Sequence, residues 1–255
     1  SCVTTGATCE PSEVESISNN RFSKKLSSNS NAQRICARVI DKAGNVSDVY
    51  CSSTYKVDEI NPSASVSINS STNGSNGWYK ALSIKASLSD SHSGVSSAKY
   101  CTTSSTCTPS TNASISNNSF TVTLGNNGSA QKVCVNVTDN SGRTSSTVCS
   151  SAYKVDTTNP SLSWTINSST SGSNGWYKAL SLKASLSDNA SGISSAKYCT
   201  TTGSSCTPNT NASISNNGFT VTLGSNASAQ KVCANVTDKS ERTSSTICSG
   251  TYKVD

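Results

Sequence analysis

Methionine is absent, histidine occurs once, aromatic residues make up only 5% of the chain and charged residues only 13%. Each scarcity closes off a class of function. The lone His92 has Ala190 in the matching place further along, so no recurring imidazole is available as a metal ligand or general base. The formal net charge is +6, yet apart from Lys24-Lys25 the lysines are spread singly and no basic cluster is interleaved with aromatics, which argues against a nucleic-acid partner. No apolar run is long enough to cross a bilayer, so no membrane insertion is expected of this stretch. Glycine-rich phosphate cradles and Cys-x-x-Cys pairs are missing, and no segment carries a helical period. Hydrophobic residues reach only 33%, and the polar balance is held by Ser, Thr and Asn. That composition is not the highly charged one of disordered chains. It suits short strands with one wet face, joined by polar turns.

What is present is repetition. Gly77-Trp78-Tyr79-Lys80-Ala81-Leu82 returns as Gly175-Trp176-Tyr177-Lys178-Ala179-Leu180, and Lys56-Val57-Asp58 returns as Lys154-Val155-Asp156 and Lys253-Val254-Asp255. A period of 98–99 residues is too long for a solenoid unit and fits one small domain per copy. Residues 59–156 and 157–255 then form two complete repeats, while residues 1–58 match only the later part of one. The chain is expected to be a piece of a longer array.

The 12 cysteines keep their places, four to a repeat. Cys2/Cys9, Cys101/Cys107 and Cys199/Cys206 are close pairs; Cys36/Cys51, Cys134/Cys149 and Cys233/Cys248 are wider, always with 14 residues between. Zinc ligands are usually two to four residues apart and often include histidine. An oxidising compartment is therefore the better inference. Val133, Val135 and Val137 alternate with Cys134, Asn136 and Thr138, as on a strand with one apolar face and the cysteine on the other. Folding a hairpin with Cys134 opposite Cys149 places Asn136 against Thr147 and Thr138 against Ser145, leaving Asp139–Thr144 as the turn. The same construction works around Asp41 and around Asp238. Directly opposed residues on antiparallel strands lie within disulfide reach. Four cysteines still permit three pairings, and spacing alone leaves the other two open. Each wide link would be worth about 3 kcal/mol on the chain-entropy account.

Alternation marks further strands at Val66 and Ile68, at Leu82, Ile84, Ala86 and Leu88, at Ala98 and Tyr100, at Phe120, Val122 and Leu124, and from Val148 to Val155. Turn clusters such as Asn73–Gly77 and Asp90–Gly94 separate them. Six or seven short strands in one period predict an all-β, two-sheet sandwich. In the first segment Lys24 stands where Val122 and Val221 sit, so full burial there is not expected. Glu241 replaces Gly142 and Gly44 in one turn, which predicts that a positive φ is not obligatory at that place.

The order Gly77-Trp78-Tyr79, an alternating strand, Asp90 to Val95, the turn Thr138 to Gly142 and the closing Val155 to Pro160 resembles the bacterial Ig-like repeats of surface proteins and secreted multidomain enzymes. The resemblance implies tandem immunoglobulin-like β-sandwich domains, here in a variant with two disulfides each. It implies a spacer or adhesive module without a fixed ligand, in an extracellular, cell-surface or secreted setting.

No catalytic, cofactor-binding or metal-ligating set is expected from the spacing. Asp90, Asp188, Asp139 and Asp238 fall in loops and Asp156 ends a repeat, where Asp ordinarily bonds its own backbone. The sharper alternative is Ca²⁺ at the domain junctions, although the spacing matches no calcium loop. Trp78-Tyr79 and Trp176-Tyr177 are read as packing residues, with ligand stacking as the competing reading. Trp164, in place of Val66, is read as core. The functional expectation is a structural stalk or fibre segment of a bacterial surface protein or adhesin. Its partners are then neighbouring repeats of the same long chain, with self-association into a fibre as a further option. The alternatives are an adhesive module for host glycan or protein and an accessory region of a secreted glycosidase.

Overall fold

The computed structural model describes residues 1–27, 29–224 and 227–255, and all regular structure among them is β. The first segment carries β1 (Cys2–Thr4), β2 (Ser30–Ala37), β3 (Tyr50–Cys51) and β4 (Tyr55–Val57). The middle repeat carries β5 (Ser63–Asn73), β6 (Trp78–Ser89), β7 (Val95–Thr103), β8 (Thr111–Asn112), β9 (Ser119–Thr123), β10 (Gly128–Asp139), β11 (Val148–Cys149) and β12 (Tyr153–Val155). The last repeat duplicates these as β13 (Ser161–Ser171), β14 (Trp176–Ser187), β15 (Ile193–Thr201), β16 (Thr210–Asn211), β17 (Gly218–Leu223), β18 (Ala227–Asp238), β19 (Ile247–Cys248) and β20 (Tyr252–Val254).

In the middle repeat β6 is flanked by antiparallel β5 on one side and by antiparallel β9 and parallel β12 on the other. The facing layer runs β8-β7-β10-β11. β10 joins the layers, because its first residues pair with β12 before a register shift between Gly128 and Gln131. The period-2 pattern sets the core: Leu82, Ile84, Ala86 and Leu88 of β6 meet Phe120, Val122 and Leu124 with Val133, Val135 and Val137 of β10. The same constellation recurs around Leu180, Leu182, Val221, Val232 and Val236.

Two expectations change. The stretch from Val148 to Val155 is two strands, β11 beside β10 and β12 beside β6. Ser150 makes the break: its amide donates to Val133 O at 2.8 Å, its hydroxyl accepts from Val133 N at 3.1 Å, and the chain then crosses to the other layer. Ile68 and Ile166 are 42% and 45% exposed and lie outside the core. Both precede a bulge in an edge strand that extends beyond its covered half. Finally, Thr138 faces Thr144 and not Ser145. The Asp139 carboxylate shortens the turn by capturing Arg143 N at 2.9 Å, while Ser145 supplies its hydroxyl to Val137 N at 3.1 Å.

The first segment has no counterpart of the β5/β6 pair among its described residues, and Val14, Ile17, Val39, Ile40 and Tyr50 stand exposed. Lys24 remains partly exposed and pairs with Glu13 and Glu15, which raise its pKa.

Leu82 is 1% exposed at the centre of the middle core. Leu82→Ala is expected to destabilise that repeat by about 2–5 kcal/mol in denaturant titration of the oxidised chain. The last repeat's transition should not move, and Thr121→Ala on the wet face should stay within about 0.5 kcal/mol.

Candidate functional site

The chemistry of this chain gathers where one repeat meets the next. The turn after β10 is organised by Asp139, whose Oδ1 accepts from Ser141 N at 2.8 Å and Arg143 N at 2.9 Å. Asp238 repeats this with Arg242 N at 2.9 Å and the Ser240 hydroxyl at 2.8 Å. In the first segment Asp41 accepts from Ala43 N, Asn45 N and Asn45 Nδ2. The Asn45 side-chain amide, then the surrounding backbone amides, hold the Asp41 carboxyl below the usual carboxylate range.

Gly44 and Gly142 sit in this turn at φ of 90° and 88°. Contrary to expectation, Glu241 keeps the same left-handed conformation, at φ 68°. The turn's hydrogen bonds impose it: Glu241 N donates to Asp238 O at 3.2 Å and Asp238 N to Arg242 O at 3.0 Å. A side chain there costs about 1–2 kcal/mol. Contacts of Glu241 with Ser75 and Lys80 of the preceding repeat offset it.

The same turn supplies the grip on the preceding repeat. Arg143 Nε donates to Asp58 O at 2.9 Å, and Arg242 Nε donates to Asp156 O at 2.9 Å. Asp58 Oδ2 accepts from Ser93 N at 3.0 Å, as Asp156 Oδ2 accepts from Ser191 N at 3.2 Å. Asp90 and Asp188 cap their own loops, Oδ2 accepting from Gly94 N at 2.7 Å and Gly192 N at 2.6 Å. Asp58, Asp90 and Asp139 thereby converge, as do Asp156, Asp188 and Asp238, each set with carboxylate oxygens within 4.8 Å of one another. Spacing could not show this, because each cluster draws on three loops distant in sequence. The linker is pinned from both sides: Asn127 Nδ2 donates to Thr158 Oγ1 at 2.8 Å, and Thr158 Oγ1 to Asn189 Oδ1 at 2.9 Å. The second junction adds a backbone approach, since a Cβ on Gly74 would stand 2.2 Å from Ser240 O.

The other residues singled out lie apart from these clusters or at their rim. Disulfides join Cys2–Cys9, Cys36–Cys51, Cys101–Cys107, Cys134–Cys149, Cys199–Cys206 and Cys233–Cys248. In each repeat the two links form one row across the outer face, because Cys134 lies opposite both Cys149 and Cys101, and Cys36 and Cys233 do likewise. The Cys134 and Cys149 Cα atoms are 4.0 Å apart. His92 is exposed, with its ring against Ser91 Oγ at 3.2 Å. Trp78 is buried and Trp176 only half-buried; the loop of Trp78 is the one that meets the Ser240–Arg242 turn. Trp164 packs edge-on to Phe219 and donates Nε1 to Ile247 O at 3.1 Å.

The class is thus a tandem array of all-β immunoglobulin-like sandwiches. A family model described as a bacterial Ig-like domain matches residues 56–147 and again residues 143–238, and the chain belongs to that family. Among solved structures, fibronectin(III)-like modules of Clostridium thermocellum CbhA match at 15% identity with a TM-score of 0.29, over 74% of this chain and 95% of that one. No curated protein matches the chain.

Gly74→Ala tests the close approach at the second junction. Both repeats should retain their unfolding midpoints, while protease cleavage within residues 156–160 should accelerate severalfold. An unchanged cleavage rate would mean that the junction does not depend on this contact.

Proposed function

We propose that this chain is a non-enzymatic spacer segment of an extracellular bacterial surface or secreted protein, forming part of a stalk. The observation that carries this reading is that one junction is built twice. The Arg143–Asp58 and Ser93–Asp58 bonds recur as Arg242–Asp156 and Ser191–Asp156. A contact that repeats from one module to the next propagates along an array, which is what a spacer needs and a single binding site does not. The disulfide rows support an oxidising destination. Sparse charge and the lack of a buried nucleophile–base pair among the described residues support a structural role.

Single-molecule stretching of the whole chain tests it. Two equal unfolding steps are expected from the two complete repeats. The links of each middle or last repeat span 15 and 6 or 7 positions, so reduction should lengthen each step by about 70 Å. The same chain should show no saturable binding on glycan and extracellular-matrix protein arrays. Saturable micromolar binding would replace the spacer reading with an adhesive one.

A further inference from the structure

We infer that Cys149 is a modification site for a low-molecular-weight thiol, and that the middle repeat retains the adduct by passing a disulfide from one strand to the next. Cys149 is exposed, whereas its counterparts Cys51 and Cys248 are half-buried. Its partner Cys134 is fully buried. An incoming thiolate therefore reaches Cys149 and not Cys134, and access helps decide which sulfur of a disulfide is attacked. Behind Cys134 lies a second disulfide: the sulfurs of Cys101, Cys107 and Cys134 are within 4.8 Å of one another. Among the described residues the cysteines of the first segment and of the last repeat form no such group. Cys134 stands opposite Cys149 on one side and opposite Cys101 on the other. Val133 uses its backbone amide and carbonyl on Ser150, so those of Cys134 turn toward β7. Cys134 and Cys101 are then a hydrogen-bonded pair with Cα atoms about 5.5 Å apart, inside the range of about 4.4–6.8 Å that a disulfide spans.

The steps balance without an oxidant. The external thiolate bonds to Cys149 Sγ, and the Cys134–Cys149 bond breaks with its electron pair left on Cys134. The Cys134 thiolate bonds to Cys101 Sγ, and the Cys101–Cys107 bond breaks with its pair left on Cys107. Cys107 takes the proton given up by the incoming thiol. Two disulfides enter and two remain, a mixed disulfide at Cys149 and a cross-strand link between Cys101 and Cys134. In ordinary exchange the released protein thiolate attacks the mixed disulfide and expels the modifier. Here that thiolate is consumed on β7, and the new free thiol, Cys107, lies in the loop on the β7 side of β10, away from Cys149. The β10 strand keeps a link to a neighbour in the product, while β11 is released from it. This site stands on the row of cysteines and is independent of the spacer reading.

The whole oxidised chain is incubated with reduced glutathione in mildly alkaline buffer, quenched with N-ethylmaleimide and mapped by mass spectrometry without reduction. Tryptic cleavage after Lys99, Lys132, Arg143 and Lys154 places Cys101 and Cys107 in one peptide, Cys134 in the next and Cys149 in a third. Glutathione is expected on the Cys149 peptide, maleimide on Cys107, and a new link between the Cys101 and Cys134 peptides. Glutathione on Cys149 with maleimide on Cys134 is plain exchange and would overturn the relay. Failure of Cys149 to take up glutathione ahead of Cys51 and Cys248 would overturn the modification site. Cys101→Ser/Cys107→Ser lacks the acceptor link, so its Cys134 thiolate returns to Cys149, and the glutathionylated fraction there should fall severalfold with far-ultraviolet dichroism unchanged. An equal fraction in this variant would contradict the proposal; should the variant fail to fold, the mapping of the unmodified sequence decides alone.

Discussion

The strict alternation along β10, repeated in β18, is the constraint from which the rest follows. Its inward residues, Val133, Val135 and Val137, are all fully buried and fill the centre of a core that lacks methionine and has few aromatics. Its outward residues include Cys134, the middle of a disulfide row. Its last residue, Asp139, closes the turn that grips the preceding repeat. A slip of one position would exchange these faces, expose the valines and break the row. The Cys134–Cys149 link ties β10 to β11 in that register, while Cys101–Cys107 ties the facing strand β7 to its own loop, so a thin core does not have to fix the register of β10 and β11 alone.

The same strand links local structure to the array. β12 pairs with both β6 and β10, and it is followed directly by Asp156, the aspartate that the next repeat holds. Packing within one sandwich therefore sets where the next one begins. The linker adds little freedom, because Asn127, Thr158 and Asn189 bridge it. Glu241 shows how strongly the turn is specified. A side chain is held in the left-handed region where the other copies use glycine, and its carboxylate is turned to use at the junction.

Much of this was legible in the sequence. The period, the all-β class and the core strands around Leu82, Phe120 and Val135 follow from repetition and alternation, which are local signals. The misread strand and hairpin pairing both involve a departure from regular alternation. Ser145 and Ser150 satisfy backbone amides with their hydroxyls and so bend the chain out of the ladder. The junction clusters were the least legible part. Asp58, Asp90 and Asp139 each look like an ordinary loop aspartate, and half of that reading is right, since one oxygen of Asp90 and of Asp139 does bond its own loop. That one carboxylate oxygen from each of the three comes within 4.8 Å of the others is a property of the assembled sandwich and of its contact with a neighbour.

The account's central claim is that in each repeat one link joins two neighbouring strands in register and a second, opposite it in the ladder, ties the next strand to its own loop. Peptide mass mapping of the native chain under non-reducing conditions tests it most directly. The account predicts Cys134 joined to Cys149 and Cys101 to Cys107, with Cys233–Cys248, Cys199–Cys206, Cys36–Cys51 and Cys2–Cys9 in the same pattern. Free thiols at most of these positions, or links that cross between repeats, would contradict it.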